Sequence, residues 1–420
     1  MNDRELCQQL LGLQAPWEVT EVEVSHGEQR VDIHVAHAPG TLFACPTCGN
    51  PCPIHDHAPK RCWRHLDAFQ FHTYLHAAPP RVRCDEHGVK TAALPWASPG
   101  ARFTEMFETR VLDTLQGLQN ITACCRVLSI TWDQAYAVME RAVKRGLSRR
   151  EIGTLTHIGV DEKAWRKGHS YVTVLADLRR KAVVDLAEGR TTQSLDSLYT
   201  ALPQGSLAKV QAVAMDMLPA FSTATLRHID NASNKIVHDR FHCMQMLLRA
   251  LDKVRAKEAK QLNKRSDLRL SGAKYAVGKN PDNLTAKQRA RLDTVLESDL
   301  LTGRAWALKE NYRKLWECDS LAEAQAKFDH WCEQVEQSGL RPMMKVARAF
   351  KIRSRQILNW FEHRVSTGIV EAINGKIMTI KRRARGHRNY QNLRTAILFF
   401  LGGLDVGLQT RSPQLAAPTH

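Results

Sequence analysis

The sequence lacks any long apolar run. No stretch of about 18 or more residues is apolar and uncharged throughout, so no segment is predicted to span a bilayer. The opening residues, MNDRELCQQLLGLQ, carry early charges and do not resemble a secretory signal. Fixed-period repeats and low-complexity tracts are also missing. We therefore expect a soluble protein without a membrane partner, located in the cytoplasm and associated with the nucleoid.

The sequence does not indicate a disulfide framework either. It also has fewer acidic than basic residues. The eleven cysteines are an odd number, and several are adjacent or in CxxC spacing, which favours free thiols and one metal site. Only 43 Asp and Glu stand against 60 Lys and Arg, giving a net charge of +17. Such a positive field attracts polyanions, so nucleic acid is the first partner to consider; a merely basic soluble protein is the alternative.

The length of 420 residues predicts several folded modules. After Thr156, three strand-like runs, a helix and further strands follow in an order that is compatible with an RNase H-like sheet of the α/β class. We divide the chain into a β-rich and zinc-binding domain at 1–98, a helix-turn-helix DNA-binding domain at 99–152, an RNase H-like catalytic domain at 153–243 and 356–408, a helical insertion at 244–355, and a disordered tail at 409–420.

The segment 41–95 is crowded with Cys, His and Pro and cannot build a sizeable apolar core alone. Two short motifs, CPTCG and CDEHG, each place two ligand-type side chains on a tight turn followed by glycine, which suits one tetrahedral zinc ion. Other nearby side chains could replace a ligand, and unliganded thiols remain the alternative. The predicted zinc ligands are Cys45, Cys48, Cys84 and His87, with Cys52, His55, His57 and Cys62 as competitors.

A helix pair is predicted downstream of this segment. One short helix begins after Asn120, and Thr131 with Gln134 forms a capping box that starts the second. The beginning of the second helix would present Trp132 and Gln134 to a DNA major groove. Helix pairs joined by short turns are common, so a purely structural role is the alternative.

Three carboxylates are candidates for a catalytic metal site. Asp161 and Asp216 each follow an apolar strand-like run, so each is expected at or near the end of a strand. Glu371 lies beside the apolar stripe of a predicted helix, with Asn374 one turn on. Alone, the two aspartates are typical turn residues and Glu371 an ordinary surface glutamate. Together they would provide the oxygen ligands that two Mg²⁺ or Mn²⁺ ions need for phosphodiester cleavage.

Basic residues crowd the helix that follows Glu371 and could bind the phosphates flanking a scissile bond. They are Lys376, Lys381, Arg382, Arg383, Arg385 and Arg388.

These residues resemble those of the ISL3 family of bacterial insertion-sequence transposases. The resemblance rests on CPTCG with RVRCDEHG, on GVDEKAWRKGHSYVTVLADL, on VAMDMLPAF followed by KIVHDRFH, and on VEAINGKIMTIKRRARGHRNYQNLRTAILFF. It covers nearly the whole chain. It implies an RNase H-like domain interrupted by a helical insertion, with a catalytic DDE triad at Asp161, Asp216 and Glu371.

One departure from the family pattern is visible: Thr367-Gly368 stands where family members commonly have Thr-Asn. His238, Asp239 and His242 match a family motif, and they either support the site and its DNA or form a polar strand end.

The resemblance implies a protein that binds terminal inverted repeats through residues 41–150, cuts double-stranded DNA and transfers the strands as a dimer or larger assembly. A DNA-binding regulator without catalysis is the rival. A tyrosine recombinase is disfavoured because no Arg/His/Arg/Tyr set stands in the expected order.

Overall fold

The computed structural model describes residues 2–166, 168–365, 368–384 and 386–408. It separates into two compact units. The chain up to Arg150, together with the residues from Leu404, forms the N-terminal unit, and Glu151–Gly403 forms the central unit. The predicted tail at 409–420, and the positions Thr367 and Arg385, lie outside the described residues. Within the described ranges, no helix is both long and apolar enough to cross a membrane.

The N-terminal unit begins with a helix that the sequence analysis did not predict, α1 (Asp3–Leu10), which Asn2 caps. Nine strands follow, in a four-stranded sheet of order β1-β2-β7-β6, a β3-β4 pair and a three-stranded sheet of order β5-β8-β9. Their bounds are β1 Trp17–Ser25, β2 Arg30–His37, β3 Phe43–Ala44, β4 Pro51–Cys52, β5 Ile54–His57, β6 Arg61–Arg64, β7 His72–Ala77, β8 Pro80–Cys84 and β9 Gly88–Thr91.

Three helices complete the N-terminal unit: α2 (Glu105–Leu118), α3 (Ile121–Leu128) and α4 (Trp132–Arg149). The predicted capping box is confirmed, since the side chains of Thr131 and Gln134 each bind the other's backbone amide. The turn between α3 and α4 is tight because Ser129 adopts a left-handed conformation, with φ of 52°.

The central unit is built on a five-stranded sheet of order β12-β11-β10-β13-β14. The β12, β11 and β10 strands pair antiparallel, whereas β10, β13 and β14 pair parallel. This is the predicted α/β order of three strands, a helix and further strands. The strands are β10 His157–Arg166, β11 Ser170–Asp177, β12 Ala182–Glu188, β13 Ala212–Met215 and β14 Ile236–His238.

Both faces of this sheet are covered. One face packs Ile158 and Val160 into a large apolar cluster with Leu195 and Phe221. The other packs Ala214 into a smaller cluster that includes Val370. The covering helices are α5 Thr192–Thr200, α6 Pro219–His228 and α7 Ala232–Lys235, and, from the end of the chain, α16 Gly368–Arg383 and α17 Tyr390–Leu401.

Between β14 and α16 the chain is helical, with its own apolar core running from Cys243 to Phe361. The region also contains 3-10 turns at Pro281–Asn283 and Leu315–Glu317. Its helices are α8 Arg240–Asn263, α9 Lys274–Gly278, α10 Ala286–Leu296, α11 Leu301–Lys314, α12 Leu321–Gln337, α13 Arg341–Lys351, α14 Ser354–Leu358 and α15 Trp360–His363.

Candidate active site and metal centre

Two of the predicted carboxylates stand side by side at the edge of the parallel part of the central sheet. Val160 of β10 pairs with Met215, the last residue of β13, and Asp161 and Asp216 are the next residues along the chain after this pair. One expectation was wrong: Asp161 is inside its strand, because β10 continues to Arg166 by pairing with β11. Only the ladder with β13 ends at this position.

Helix α16 brings the third carboxylate to the same place. It packs on β10 where Gly159 has no side chain: a Cβ there would lie 2.6 Å from Val370 Cγ2. Asn374, which is buried, donates a hydrogen bond from Nδ2 to Asp161 Oδ2. Glu371, one turn earlier on α16, is exposed.

A single cleft of about 420 Å³ is lined by Asp161, Asp216 and Glu371. Asp239, which follows β14 in register with Asp216, and His242 on α8 line it too. Among the described residues, the oxygens of the three predicted ligands do not all lie within 4.8 Å of one another. The sheet and α16 therefore bring the three acids to one cleft without closing them around a single point.

Negative charge is concentrated in this cleft. Burial raises the pKa of the Asp161 carboxyl, against the opposing effect of Lys163, whose Nζ lies 3.6 Å from Asp161 Oδ2. Burial and the neighbouring carboxylates of Asp161 and Asp216 also raise the pKa of Glu162. His242 lies between two acids, 3.2 Å from Asp239 and 3.6 Å from Asp216, and its hydrogen bond to Asp239 raises its pKa. Such a site favours the binding of cations.

The basic residues predicted to bind phosphates have different environments. Lys381 donates to the backbone oxygen of Ala164, at 3.0 Å, and so ties α16 to β10. The other predicted residues within the described ranges are exposed: Lys376, Arg382, Arg383 and Arg388.

In the N-terminal unit, the predicted metal ligands form a tight cluster. The ligand atoms of Cys45, Cys48, Cys84 and His87 all lie within 4.8 Å of one another. Cys84 Sγ is 3.7 Å from Cys48 Sγ and 3.6 Å from His87 Nδ1. Around a tetrahedral zinc with Zn–S bonds of about 2.3 Å, neighbouring sulfurs are about 3.8 Å apart. The four side chains thus fit one zinc ion.

The chemistry of this cluster also suits a metal. The hydrogen bond from His87 lowers the pKa of the Cys84 thiol to about 6, which favours the thiolate that binds zinc. The competing residues are outside the cluster: Cys52 Sγ donates to the Asn50 carbonyl, and His57 pairs with His37 at 2.8 Å. All eleven cysteines are free of disulfide bonds in the structure.

The two residues predicted to face DNA from α4 are both half-buried. The Trp132 ring stacks on Tyr136, with 5.0 Å between ring centroids. Gln134 accepts the Thr131 amide through its side-chain oxygen, so only its NH₂ group is left to donate to a ligand.

Some site features were missed in the sequence. Gly159 interrupts an apolar strand pattern, and a glycine in such a place can mark a close approach of two elements. The sequence around Lys163 did not indicate a role in the site, because its contact with Asp161 depends on the strand continuing beyond the acid.

Comparison with known proteins assigns these parts to one class. A family model described as "Transposase" matches residues 158–397. A zinc-finger model of transposases and a helix-turn-helix model of transposase family ISL3 match residues 41–87 and 92–143. A zinc ribbon, a helix-turn-helix and a DDE transposase domain on one chain define an insertion-sequence transposase. The chain belongs to the ISL3 family.

Curated relatives match over almost their full length. The chain is 28% identical to the transposase for insertion sequence element IS1001 of Bordetella parapertussis, with 93% of this chain and 96% of that protein covered. It is 26% identical to the transposase for element IS1557 of Mycobacterium tuberculosis, with 96% of each covered.

Proposed function

We propose that this protein binds the terminal inverted repeats of its insertion sequence and catalyses divalent-metal-dependent strand cleavage and strand transfer at a DDE triad of Asp161, Asp216 and Glu371. The observation that carries the proposal is that these three acids, which are far apart in sequence, line one cleft.

The sheet supports an RNase H-like catalytic domain. Three antiparallel strands are followed by two strands that pair in parallel. Asp161 and Asp216 come directly after the last residue pair of the parallel β10–β13 ladder. A helical region separates Asp216 from the helix that holds Glu371, as expected of a catalytic domain with an insertion.

The donor set fits Mg²⁺ or Mn²⁺, since it consists of oxygen ligands with several positions left for water. Asn374 Oδ1 is buried and has no hydrogen-bond partner within the described residues, so it would be available to accept a hydrogen bond from a group that enters the cleft. Bound cations would supply an activated water and stabilise the leaving oxygen.

The chain's own groups would orient the DNA. Asn374 fixes the Asp161 carboxylate through its amide. Lys163, beside Asp161, would contact a non-bridging phosphate oxygen once DNA enters the cleft. The exposed Lys376, Arg382, Arg383 and Arg388 would hold the flanking backbone, while Lys381 keeps α16 in place.

DNA recognition is assigned to residues 41–150. A structural zinc at Cys45, Cys48, Cys84 and His87 would stabilise the small β domain. The first turn of α4, with Trp132 and the free NH₂ of Gln134, would enter the major groove of the terminal repeat. The protein would act in the nucleoid as a homodimer or larger assembly.

A DNA-binding regulator that keeps the fold without cutting is the rival function. The test is cleavage and strand transfer of a fragment carrying the element's ends, with Mg²⁺ or Mn²⁺, for the native protein, Glu371→Gln and the exposed control Glu297→Gln. We expect Glu371→Gln alone to lose cleavage while end binding is retained. Native protein that binds the ends and cuts them in neither metal would support the regulator.

A further inference from the structure

A second cleft, in the N-terminal unit, is lined by three arginines. It has a volume of about 390 Å³ and opens between strand β6, the segment before α2 and the turn between α3 and α4. We call it the arginine groove; its lining includes Arg61, Arg64, Arg102, Tyr74, Ser129 and Gln134. Among its described lining residues there is no Asp or Glu; Arg64 is paired with Asp67, and the positive potential of the groove comes from Arg61 and Arg102, which form no salt bridge within the described residues.

The protein's own contacts hold the groove in shape. The backbone of Arg64 on β6 pairs with the segment before α2: its amide donates to the Arg102 carbonyl at 3.2 Å, and its carbonyl accepts from Thr104 at 3.0 Å. Arg61 Nη2 donates to the Ala101 carbonyl at 2.8 Å. The positions of the arginines are thus fixed by β6 and by the segment before α2 that is hydrogen-bonded to it.

The groove has donor capacity that the protein does not use. Arg64 is only 6% exposed and its Nη2 pairs with Asp67, so its charge is compensated within the protein and the unused capacity belongs to Arg102. Arg102 is exposed, and no salt bridge to it occurs in the described part of the chain. Guanidinium groups in this condition are suited to phosphate, which they bind through charge-assisted hydrogen bonds.

The position of the groove identifies the ligand. Ser129 and Gln134 on its rim flank the start of α4, the part of a helix-turn-helix that enters the major groove. The phosphate backbones run along both borders of the major groove, so a basic groove next to the recognition helix faces a backbone. We infer that the arginine groove binds the sugar-phosphate backbone of duplex DNA beside the bases that α4 contacts.

This inference rests on the DNA-binding part of the proposed function and adds a subsite to it. Arg102 and Arg61 would contact phosphate from the open side, while Arg64, which is paired with Asp67, would keep the floor of the groove in place. Such contacts fix the register of the protein on DNA and carry no base preference of their own. They differ in this respect from Gln134, which would face base edges.

The experiment measures equilibrium binding of the full chain to two duplexes of equal length, one carrying the element's terminal repeat and one of unrelated sequence, over a range of salt concentrations. The variants are Arg102→Gln and Arg61→Gln, with Lys209→Gln as a control that removes one exposed charge before β13 in the central unit. We expect each arginine variant to weaken binding to both duplexes by a similar factor and to reduce the salt slope by about 1. The control should leave both unchanged.

A neutral methylphosphonate, scanned along the repeat one linkage at a time, locates the contact. At the linkage that Arg102 contacts, we expect the methylphosphonate to lower the affinity of the native protein. The Arg102→Gln variant should bind the modified and the unmodified duplex with equal affinity. The inference would be overturned if the loss of affinity from the methylphosphonate and the loss from Arg102→Gln were additive at every linkage. Unchanged affinity and salt slope in both arginine variants would also overturn it. Because the readout is binding, a protein that binds the ends but never cuts them would contradict the proposed catalysis and leave the groove assignment standing.

Discussion

Asn374 joins helix α16 to the first strand acid. Its amide donates to Asp161, and its oxygen has no partner within the described residues. Replacing it with aspartate would remove the donor and place a second carboxylate against a buried one. We therefore expect Asn374→Asp to slow cleavage by about tenfold or more, consistent with the loss of a charge-assisted hydrogen bond.

A metal titration separates positioning from folding for this residue. We expect Asn374→Asp to change the Mg²⁺ concentration needed for half-maximal cleavage while end binding stays close to native. Without metal, thermal unfolding should occur at a lower temperature, because the two neighbouring carboxylates repel each other. The exposed control variant Glu297→Gln should leave the metal dependence unchanged. An Asn374→Asp protein with a native metal dependence would show that the hydrogen bond does not position Asp161 for metal.

Cys48 provides a second test at the scale of a residue. Its sulfur lies 3.7 Å from that of Cys84 in the four-residue cluster, whereas Cys62 is exposed and outside it. Metal analysis of purified protein should find about one zinc per chain, lost in Cys48→Ser and kept in Cys62→Ser. Because structural zinc contributes to folding, the Cys48 variant should also unfold at lower denaturant concentration. Zinc retained by Cys48→Ser would contradict this ligand set.

At the scale of an element, the placement of α16 depends on Gly159. The missing side chain leaves room for Val370, and a Cβ would also come within 2.7 Å of Leu178. Gly159→Ala should push α16 away from β10, lower the free energy of unfolding by about 1–3 kcal/mol and reduce cleavage while DNA binding is kept.

A compensating change makes this prediction sharper. Adding Val370→Ala to Gly159→Ala removes the side chain that the new methyl meets, so we expect cleavage to recover in part. Gly117→Ala, in helix α2 with open space around its Cβ position, is the matched control and should be neutral or slightly stabilising. Full cleavage by Gly159→Ala alone would mean that Glu371 does not depend on this packing.

Local features of the elements could be predicted from sequence, and long-range ones could not. Thr131 and Gln134, which form the capping box, are three positions apart, so the pattern can be recognised within a short stretch of sequence. The strand containing Asp161 was expected to stop near the acid. It continues because β11 pairs with it, and the residues next to Asp161 give no indication that β11 pairs there.

The same reason applies to the candidate site. The sequence patterns indicated three acids as candidates, and the family resemblance implied that they form one catalytic triad. The contact between Asn374 and Asp161 joins residues 213 positions apart, and Lys381 is engaged by the Ala164 carbonyl. Such contacts follow from the packing of α16 on β10, so the predicted phosphate-binding role of Lys381 has to compete with a structural one.

At the scale of the whole molecule, the three acids and the zinc cluster belong to different compact units. Within its described residues, the chain has one cleft lined by Asp161, Asp216 and Glu371. An insertion sequence has two ends, and joining both to one target in a concerted reaction requires an active site at each end. The proposed reaction therefore needs at least two chains.

Mixing experiments test this requirement. Glu371→Gln chains added to native chains in increasing proportion should reduce concerted joining of two ends more steeply than cleavage of a single end, because a mixed assembly keeps only one working site. Mass measurement of the protein with end DNA should show two chains and two ends in one complex. If joining instead falls in simple proportion to the native fraction, each chain completes the reaction alone, and the two-chain requirement is wrong.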